Sequence, residues 1–454
     1  MSTAYLLERA WIGGAVQDDV LVEIEGALIT SVTPASQFGH FPAVATAEKS
    51  RNRRLTGDSY THLPGLTLPG LANTHSHAFH RALRGRTQRE RGTFWTWREQ
   101  MYDVAGRLDP DSSYALARAT YAEMVAAGYT SVGEFHYLHH RPDGAPYDDP
   151  NLMGDALAAA ARDAGIRIAL LDTCYLAGGF GEPLSAEQRR FGDTDVDAWV
   201  DRASRRAPAG PGVVLGAAVH SVRAVPPKAL GIVAAWAADR QVPLHVHLSE
   251  QVAENEGCLA AYGMTPTALL AEQGVLGRST TAVHATHLTD ADVAALAGSG
   301  TTVSLCPTTE RDLGDGIGPA RRLADAGVAL SLGSDSHAVI DPFEEMRAVE
   351  MDERLAARAR GQLTAAELLT AATAHAGLGF ADAGEIAVGR RADLVTVDTH
   401  TPRTAGTGAD EHTAVFAATA ADVRHVIVDG RVVFDGDHAA VGRQLDETIG
   451  RLWR

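Results

Sequence analysis

The amino-acid sequence predicts an α/β protein, a (β/α)8 TIM barrel accompanied by a small β-sandwich domain that both chain ends build. Through the middle of the chain, short apolar runs alternate with longer segments of helical periodicity, which is typical of βα units around a parallel sheet. Eight such runs occur, and nearly all end in a polar or ionisable residue. The two chain ends instead carry β-branched runs separated by Gly and Asp turns.

The eight runs are the predicted barrel strands. They are LTLPGLANTHSH (66–77), TSVGEFHY (130–137), RIALLDTCY (167–175), GVVLGAAVHS (212–221), PLHVHLSE (243–250), TTAVHATH (280–287), TTVSLCPTT (301–309) and ALSLGSDS (329–336). Because the carboxyl ends of barrel strands meet at one face, residues far apart in sequence are expected to share one pocket there.

The domain limits follow from these patterns. Residues 1–65 and 384–440 are predicted to form the β-sandwich domain, since DVLVEIEGALITSV and VRHVIVDGRVVFDG share the same strand-and-turn character. Residues 66–383 are predicted to form the barrel, and residues 441–454 a C-terminal segment.

Composition excludes several classes of function. Lys and Arg number 40 against 57 Asp and Glu, a formal charge of −17, which repels polyphosphates and anionic lipids and argues against nucleic-acid or membrane partners. The three cysteines form no C-x-x-C pair, so we expect reduced thiols and no disulfide framework. The N-terminus lacks a signal-peptide pattern, and no apolar run approaches the roughly 18 residues of a membrane span. We therefore expect a cytoplasmic protein.

Histidines at the strand ends predict a metal centre. His75 and His77 lie at i and i+2 of a predicted strand, so both imidazoles can chelate one cation from the same side. An H-x-H pair alone is more often a surface or core feature, but HVHLSE, VHATH and GSDSH end other strands. His247 offers a third imidazole and Asp335 a carboxylate. This donor set suits Zn²⁺, with Fe²⁺ as the alternative, and suits Mg²⁺ or Ca²⁺ poorly.

One metal ion is the simpler prediction. The fourth run carries no lysine, so no carbamylated lysine is available there to bridge two metals. A single divalent ion lowers the pKa of its bound water toward about 7, which predicts a site for attack by water. His245, His287 and His337, the remaining histidines of these motifs, are assigned to packing or hydrogen bonding.

The motifs PGLANTHSH, HVHLSE, VHATH, GSDSH and GEIAVGRRADLVTVD, spread over residues 66–398, resemble those of the amidohydrolase superfamily. Within it, six further segments resemble the deiminases that act on N-formimino-L-glutamate: HSHAFHRALRG, FWTWREQMY, GYTSVGEFHYLHH, GGFGEPLSAEQRRF, HSVRAV and CPTTERDLGDGIGP. The resemblance implies a metal-dependent hydrolysis to N-formyl-L-glutamate and ammonia, in histidine degradation, by a homodimer.

The resemblance also implies roles for individual residues. It assigns metal binding to the three imidazoles and the carboxylate above, and catalysis to Asp335, His284 and Glu250. In this hypothesis Asp335 accepts a proton from the metal-bound water, and His284 stabilises the tetrahedral centre. Glu250 hands a proton to the departing ammonia.

Substrate binding is assigned by the same resemblance to Tyr137, His220 and Arg223, with Arg98 as a further carboxylate partner. A small dicarboxylate requires such groups in an acidic protein, because guanidinium contacts attract the anion locally.

Two departures from the related sequences concern substrate recognition. His80 stands where many relatives have Gln, and Arg311 and Asp312 stand where a neutral Ala-Asn pair is commoner. Both departures are expected near the substrate side of the site.

Two alternative functions remain open at this point. One is a mononuclear deaminase of the same superfamily acting on a purine, pyrimidine or triazine ring, which would use stacking aromatic residues and few cations. The other is a non-catalytic scaffold of similar fold, which would not need every ligand position to be filled.

Overall fold

The computed structural model of this protein describes residues 2–37, 53–55, 58–89, 91–206 and 210–454. In these residues the middle of the chain forms a parallel barrel sheet, and the two chain ends form a separate mixed sheet. This arrangement confirms the predicted fold class. No helix in the same residues combines the length and the apolar character needed to cross a membrane.

The mixed sheet receives its first strands from the N-terminal part of the described chain. They are β1 (Ser2–Ile12), β2 (Ala15–Glu25), β3 (Leu28–Pro34), β4 (Arg53–Leu55) and β5 (Asp58–Pro69). β1 pairs with β2 in antiparallel and with β5 in parallel orientation. A hairpin and a long-range pairing therefore meet on the same strand.

Each barrel strand overlaps one of the eight predicted runs, but residues 66–69 of the first run belong to β5 of the mixed sheet. They are β6 (Leu71–Ser76), β7 (Tyr129–His136), β8 (Arg167–Cys174), β9 (Val213–Val219), β10 (Leu244–Leu248), β11 (Thr280–His284), β12 (Thr302–Leu305) and β13 (Leu330–Leu332). Neighbours in sequence are neighbours in the sheet. Every residue of β7 and β8 is buried, as expected for parallel strands covered on both faces.

Backbone hydrogen bonds just beyond β13 close the barrel. The Asp335 N–H donates to the His75 carbonyl at 3.0 Å, and the His77 N–H donates to the Asp335 carbonyl at 3.3 Å. The first strand and the segment after the last strand are therefore joined at the carboxyl face.

The C-terminal part of the chain completes the mixed sheet with β14 (Leu394–Val397), β15 (Val423–Val428) and β16 (Arg431–Phe434). The order is β16-β15-β14-β5-β1-β2-β3, with β4 on β5. β5 is thus held between β1 and β14, one strand from each end of the described chain.

Helices pack around the barrel and against the mixed sheet. They are α1 (Phe94–Arg107), α2 (Pro110–Ala127), α3 (Leu152–Ala164), α4 (Val196–Ser204), α5 (Pro227–Arg240), α6 (Val252–Tyr262), α7 (Pro266–Glu272), α8 (Asp290–Ser299), α9 (Pro307–Leu313), α10 (Ala320–Asp325), α11 (Pro342–Ala357), α12 (Ala365–Ala372), α13 (Glu411–Phe416) and α14 (His438–Leu452).

The sequence sets the limits of these helices, as α2 illustrates. The Asp109 side chain accepts the Ser112 N–H at 2.8 Å, and Pro110 occupies the first turn. Gly128, in the left-handed conformation with φ 107°, ends the helix.

A buried ion pair joins the two sheets. Arg167, at the start of β8, is 2% exposed and binds Asp393, which is 1% exposed and directly precedes β14. The guanidinium also donates to Asp429 at 3.0 Å, in the turn between β15 and β16. An arginine of the barrel is therefore bound by carboxylates of the mixed sheet.

Replacement of Asp393 by Ala leaves the buried Arg167 with only the half-buried Asp429. We expect the free energy of unfolding to fall by about 3 kcal/mol, measured as a lower urea midpoint. The control is Arg424→Ala, which removes an ion pair whose arginine is 57% exposed and should cost less than about 1 kcal/mol. An unchanged midpoint for Asp393→Ala would contradict the role of this pair.

Candidate metal centre and active-site cleft

Four buried side chains converge at the carboxyl face of the barrel: His75, His77, His247 and Asp335. One ligand atom from each lies within 4.8 Å of the others. Close backbone packing holds this geometry, since a Cβ on Gly333 would lie 2.7 Å from His75 Cβ and 2.9 Å from its nitrogen. The structure therefore brings together all four residues that the sequence predicts as ligands.

The atoms that face one another are electron-rich. His247 Nε2 lies 3.0 Å from His75 Nε2, and Asp335 Oδ1 lies 3.3 Å from His75 Nε2 and 3.4 Å from His77 Nε2. The Nδ1–H of His77 donates to the Phe135 carbonyl at 2.9 Å. The Nδ1–H of His247 donates to the His220 carbonyl at 2.8 Å. Each of these two Nε2 atoms therefore presents a lone pair to the centre.

Burial keeps these imidazoles neutral. Burial, aided by the nearby His75, lowers the pKa of His77 to about 3, and the same causes hold the pKa of His247 well below its usual range. Burial opposes ionisation of Asp335, but the hydrogen bond from His75 holds the pKa of Asp335 well below the usual range. The centre is thus one carboxylate beside neutral imidazoles.

This donor set fits a divalent transition-metal ion. The Nε2 atoms of His75 and His247 lie 3.0 Å apart, close enough for both to bind one cation. Separations of 3.0 to 3.4 Å are close to the edges of a tetrahedral shell whose metal–ligand distances are about 2.1 Å. Nitrogen donors with one carboxylate are typical of zinc and iron rather than magnesium or calcium.

His284 lies beside this cluster and contacts three carboxylates. Its Nε2 is 3.9 Å from Glu250 Oε1 and 3.9 Å from Asp335 Oδ2, and its Nδ1 is 3.4 Å from Glu310 Oε1. Burial lowers the pKa of His284, but the charge of Glu250 and the hydrogen bond to Glu310 outweigh burial and raise it to about 10.

The backbone of His284 is unusual for a residue with a side chain. Its φ is 70°, that of Ala285 is 52° and that of Asp335 is 39°. Left-handed backbone at non-glycine residues costs free energy and concentrates at functional sites. The ends of β11 and the segment after β13 are therefore shaped to aim these side chains.

A cleft of about 720 Å³ opens in front of the cluster. It is lined by every predicted site residue except His75, which lies behind the others: His77, Arg98, Tyr137, His220, Arg223, His247, Glu250, His284 and Asp335. The structure thus places the predicted ligand, catalytic and substrate groups around one space.

The two arginines of the cleft have different surroundings. Arg223 Nη2 is 3.9 Å from Glu250 Oε2, and its Nε is 3.4 Å from Glu254 Oε2. The Nε of Arg98 donates to the Tyr102 hydroxyl at 2.5 Å. Arg223 is therefore held beside carboxylates, whereas Arg98 is bonded to a neutral phenol.

Sequence reasoning missed Glu310 and Glu254, the carboxylates that contact His284 and Arg223. Both are buried, at 5% and 1% exposure. Glu310 also accepts the Cys306 N–H at 2.9 Å. Their position one helical turn after a strand end, in CPTTE and HLSEQVAE, was the signal available.

The two departures from related sequences occupy different places. His80 lines the cleft, and its Nε2 lies 3.0 Å from the Tyr137 hydroxyl, as expected near substrate. Arg311 is instead bound to carboxylates of α11, including Asp352 at 2.9 Å, and is not among the described lining residues. Asp312 accepts from Gln88 at 2.8 Å. The Arg311 guanidinium is therefore bound away from the cleft, although Leu313 lines it, and the effect of Arg311 on substrate recognition stays a prediction.

The remaining motif histidines bond elsewhere. His245 Nε2 donates to the Gly377 carbonyl at 2.9 Å, and His287 Nε2 donates to the Asp315 carbonyl at 2.8 Å. His337 lies between two serine hydroxyls. These contacts agree with their predicted assignment to hydrogen bonding.

Comparison with known proteins gives consistent relatives. Residues 66–433 match the sequence model of the Amidohydrolase family. The chain is 40% identical over 415 residues to formimidoylglutamate deiminase of Pseudomonas aeruginosa, covering 87% of this chain and 91% of that protein. It is 32% identical over 461 residues to 5-methylthioadenosine/S-adenosylhomocysteine deaminase of Desulforudis audaxviator, covering 99% and 97%. A crystal structure of an amidohydrolase from Brucella melitensis superposes with a TM-score of 0.87 at 31% identity, over 100% of both chains.

The convergence of four donors predicts that the chain binds a metal ion and that the loss of one donor weakens this binding. We expect about one divalent transition-metal ion per chain, and His247→Asn should weaken its affinity by more than about 100-fold. His245→Asn, on the same strand but bonded to Gly377, is the matched control and should retain the metal. Elemental analysis after dialysis against a weak chelator measures both. Full metal content in His247→Asn would contradict the assignment.

Proposed function

Because the chain belongs to the amidohydrolase family, we propose that it hydrolyses N-formimino-L-glutamate to N-formyl-L-glutamate and ammonia, a step of histidine degradation. The observation that carries the proposal is one cleft that combines a four-donor metal cluster with Arg98 and Arg223. The Pseudomonas relative is named for this activity. The prediction of a hydrolase is confirmed at the level of the family.

We propose zinc as the metal, held by His75, His77, His247 and Asp335. A divalent ion there supplies Lewis-acid activation of water and of the formimino group. The carbonyls that accept from His77 and His247 keep each imidazole in the tautomer whose Nε2 lone pair is available to the ion.

The two carboxylate oxygens of Asp335 face different groups. Oδ1 faces the imidazoles of His75 and His77 at 3.3 and 3.4 Å, whereas Oδ2 faces His284 at 3.9 Å. Oδ2 is therefore the atom placed to accept the proton of the attacking water. Because the backbone of Asp335 also closes the barrel, this oxygen is held rigidly.

His284 and Glu250 act on the two groups at the reacting amidine carbon, the entering oxygen and the leaving nitrogen. A protonated His284 donates from Nε2 to the oxygen that adds to the amidine carbon, and its charge is balanced by Glu310 on the Nδ1 side. The proton that Asp335 accepts from water ends on the departing nitrogen, and Glu250, 3.9 Å from His284 Nε2, relays it as a carboxylate that is protonated only during the reaction. Amidine hydrolysis requires both tasks, since the amine leaves only as a protonated group.

The two carboxylates of the substrate match the polar groups at the outer part of the cleft. Arg223 and Arg98 supply guanidinium donors, and His220 and Tyr137 supply neutral ones. Glu250 and Glu254 lie beside Arg223 and hold its side chain in place. An acyclic dicarboxylate would use all of these groups, whereas a purine ring carries no carboxylate for the arginines to bind.

Ammonia release from N-formimino-L-glutamate by metal-loaded protein tests the proposed function. We expect Asp335→Ala to abolish turnover, and Arg223→Ala to raise KM about tenfold to a hundredfold, since a charge-assisted contact is lost. Arg424→Ala, on the mixed sheet, should change neither constant.

Parallel assays with guanine and S-adenosylhomocysteine separate the alternatives. Ammonia released only from a ring substrate would reject the proposal in favour of a ring deaminase. A folded protein that neither takes up a metal nor releases ammonia would favour the scaffold alternative.

The contact between Glu310 and His284 predicts a kinetic effect. Glu310→Gln removes the charge that balances a protonated His284, so we expect kcat to fall about tenfold to a hundredfold, with a KM change below about threefold. Glu353→Gln is the matched control, because Glu353 is a similarly buried carboxylate that accepts the Arg321 N–H of α10. Equal effects of the two variants on kcat would contradict the assignment.

A further inference from the structure

The hydroxyl of Tyr175 is a polar group of the cleft that has no role in the proposed reaction as described so far. Tyr175 directly follows β8, and its ring packs 4.4 Å from the ring of His220. It is 5% exposed and lines the same cleft as Arg98 and Arg223. The preceding Cys174, the last residue of β8, is fully buried in the hydrophobic core. Alternation along the strand therefore brings Tyr175, rather than Cys174, to the cleft.

A neighbouring amide determines how this hydroxyl bonds. Gln188 Oε1 accepts the Ser185 N–H at 2.9 Å, and Gln188 Nε2 donates to the Tyr175 hydroxyl at 3.0 Å. A backbone N–H can only donate, so the first contact decides which end of the amide faces Tyr175. Gln188 is 2% exposed, which keeps its amide in this position. The Tyr175 oxygen is thus an acceptor toward Gln188, and its proton is directed elsewhere.

The cleft keeps this phenol neutral and protonated. Burial, aided by the neighbouring Tyr102, raises the pKa of Tyr175 to about 12. The charge of Arg223, in contrast, is shared with Glu250 and Glu254. A neutral donor such as the Tyr175 hydroxyl needs no protein carboxylate beside it to balance a charge, so no such carboxylate repels the bound anion.

We propose that Tyr175 donates a hydrogen bond to a carboxylate of the substrate, and that Gln188 is a positioning residue that directs this proton into the cleft. The inference rests on the proposed function, because it requires a dicarboxylate substrate. It identifies a further specificity-determining residue, one that a ring substrate would not need as a donor.

The first test removes the hydroxyl. Tyr175→Phe keeps the ring on His220 but loses the donor, so KM for N-formimino-L-glutamate should rise about tenfold or more while kcat changes less than about threefold. The inhibition constant of L-glutamate, a dicarboxylate with no formimino group, should rise by a similar factor. Tyr114→Phe is the control, because it loses a hydroxyl bonded to Asp163 at the surface and should alter neither constant.

The second test reverses the hydrogen bond. In Gln188→Glu, one carboxylate oxygen still accepts the Ser185 N–H, but the other accepts from Tyr175 and withdraws its proton from the cleft. KM should then rise about tenfold in the wild-type background. The carboxylate introduced by Gln188→Glu also repels a dicarboxylate substrate directly. The double variant Tyr175→Phe/Gln188→Glu, compared with Tyr175→Phe, measures that repulsion alone. There, Gln188→Glu should raise KM less than about threefold.

Each outcome has a defined meaning. Wild-type protein that releases no ammonia from N-formimino-L-glutamate would overturn the proposed function and this inference together. An active wild type with unchanged KM in Tyr175→Phe would overturn the role of Tyr175 alone. Equal effects of Gln188→Glu in both backgrounds would overturn the positioning role of Gln188, since charge alone would then explain them.

Discussion

The rest of the structure depends on one constraint: three imidazole nitrogens and one carboxylate oxygen, all on buried side chains, are held close enough together to share one ion. His247 Nε2 lies 3.0 Å from His75 Nε2, on side chains carried by strands β10 and β6. Because folding of the barrel alone brings these donors together, the ligand shell is preformed, and a cation bound there would stabilise the folded chain.

A second layer of acceptors decides what each member of this cluster can do. Two backbone carbonyls hold the protons of His77 and His247 away from the centre. Glu310 does the opposite for His284, because a carboxylate at Nδ1 favours the doubly protonated ring. Through their partners alone, these three imidazoles thus divide into two that present a lone pair and one that is doubly protonated.

Much of this was predictable from the sequence, for physical reasons that also mark the limit. A barrel strand is a short apolar run, and its carboxyl end always points to the same face, so His75, His247 and Asp335 were expected together before any coordinates. Glu310 and Glu254 were missed because a carboxylate on the helix after a strand can face the site, the solvent or another helix. The direction of the Arg311 side chain depended on two carboxylates of α11, Asp352 and Glu344, which lie 41 and 33 residues away in the chain. Tyr175 was overlooked because alternation along β8, and not residue type, brought it to the cleft.

The mixed sheet has a consequence for synthesis on the ribosome. β5 lies between β1 and β14, and β14 begins at Leu394, after all eight strands of the barrel have been translated. The nascent N-terminal sheet therefore presents an open edge throughout elongation, a template for unwanted pairing. Only β14 covers that edge of β5. Truncated products that retain the whole barrel but lack β14 would therefore expose β5 to pairing with other chains.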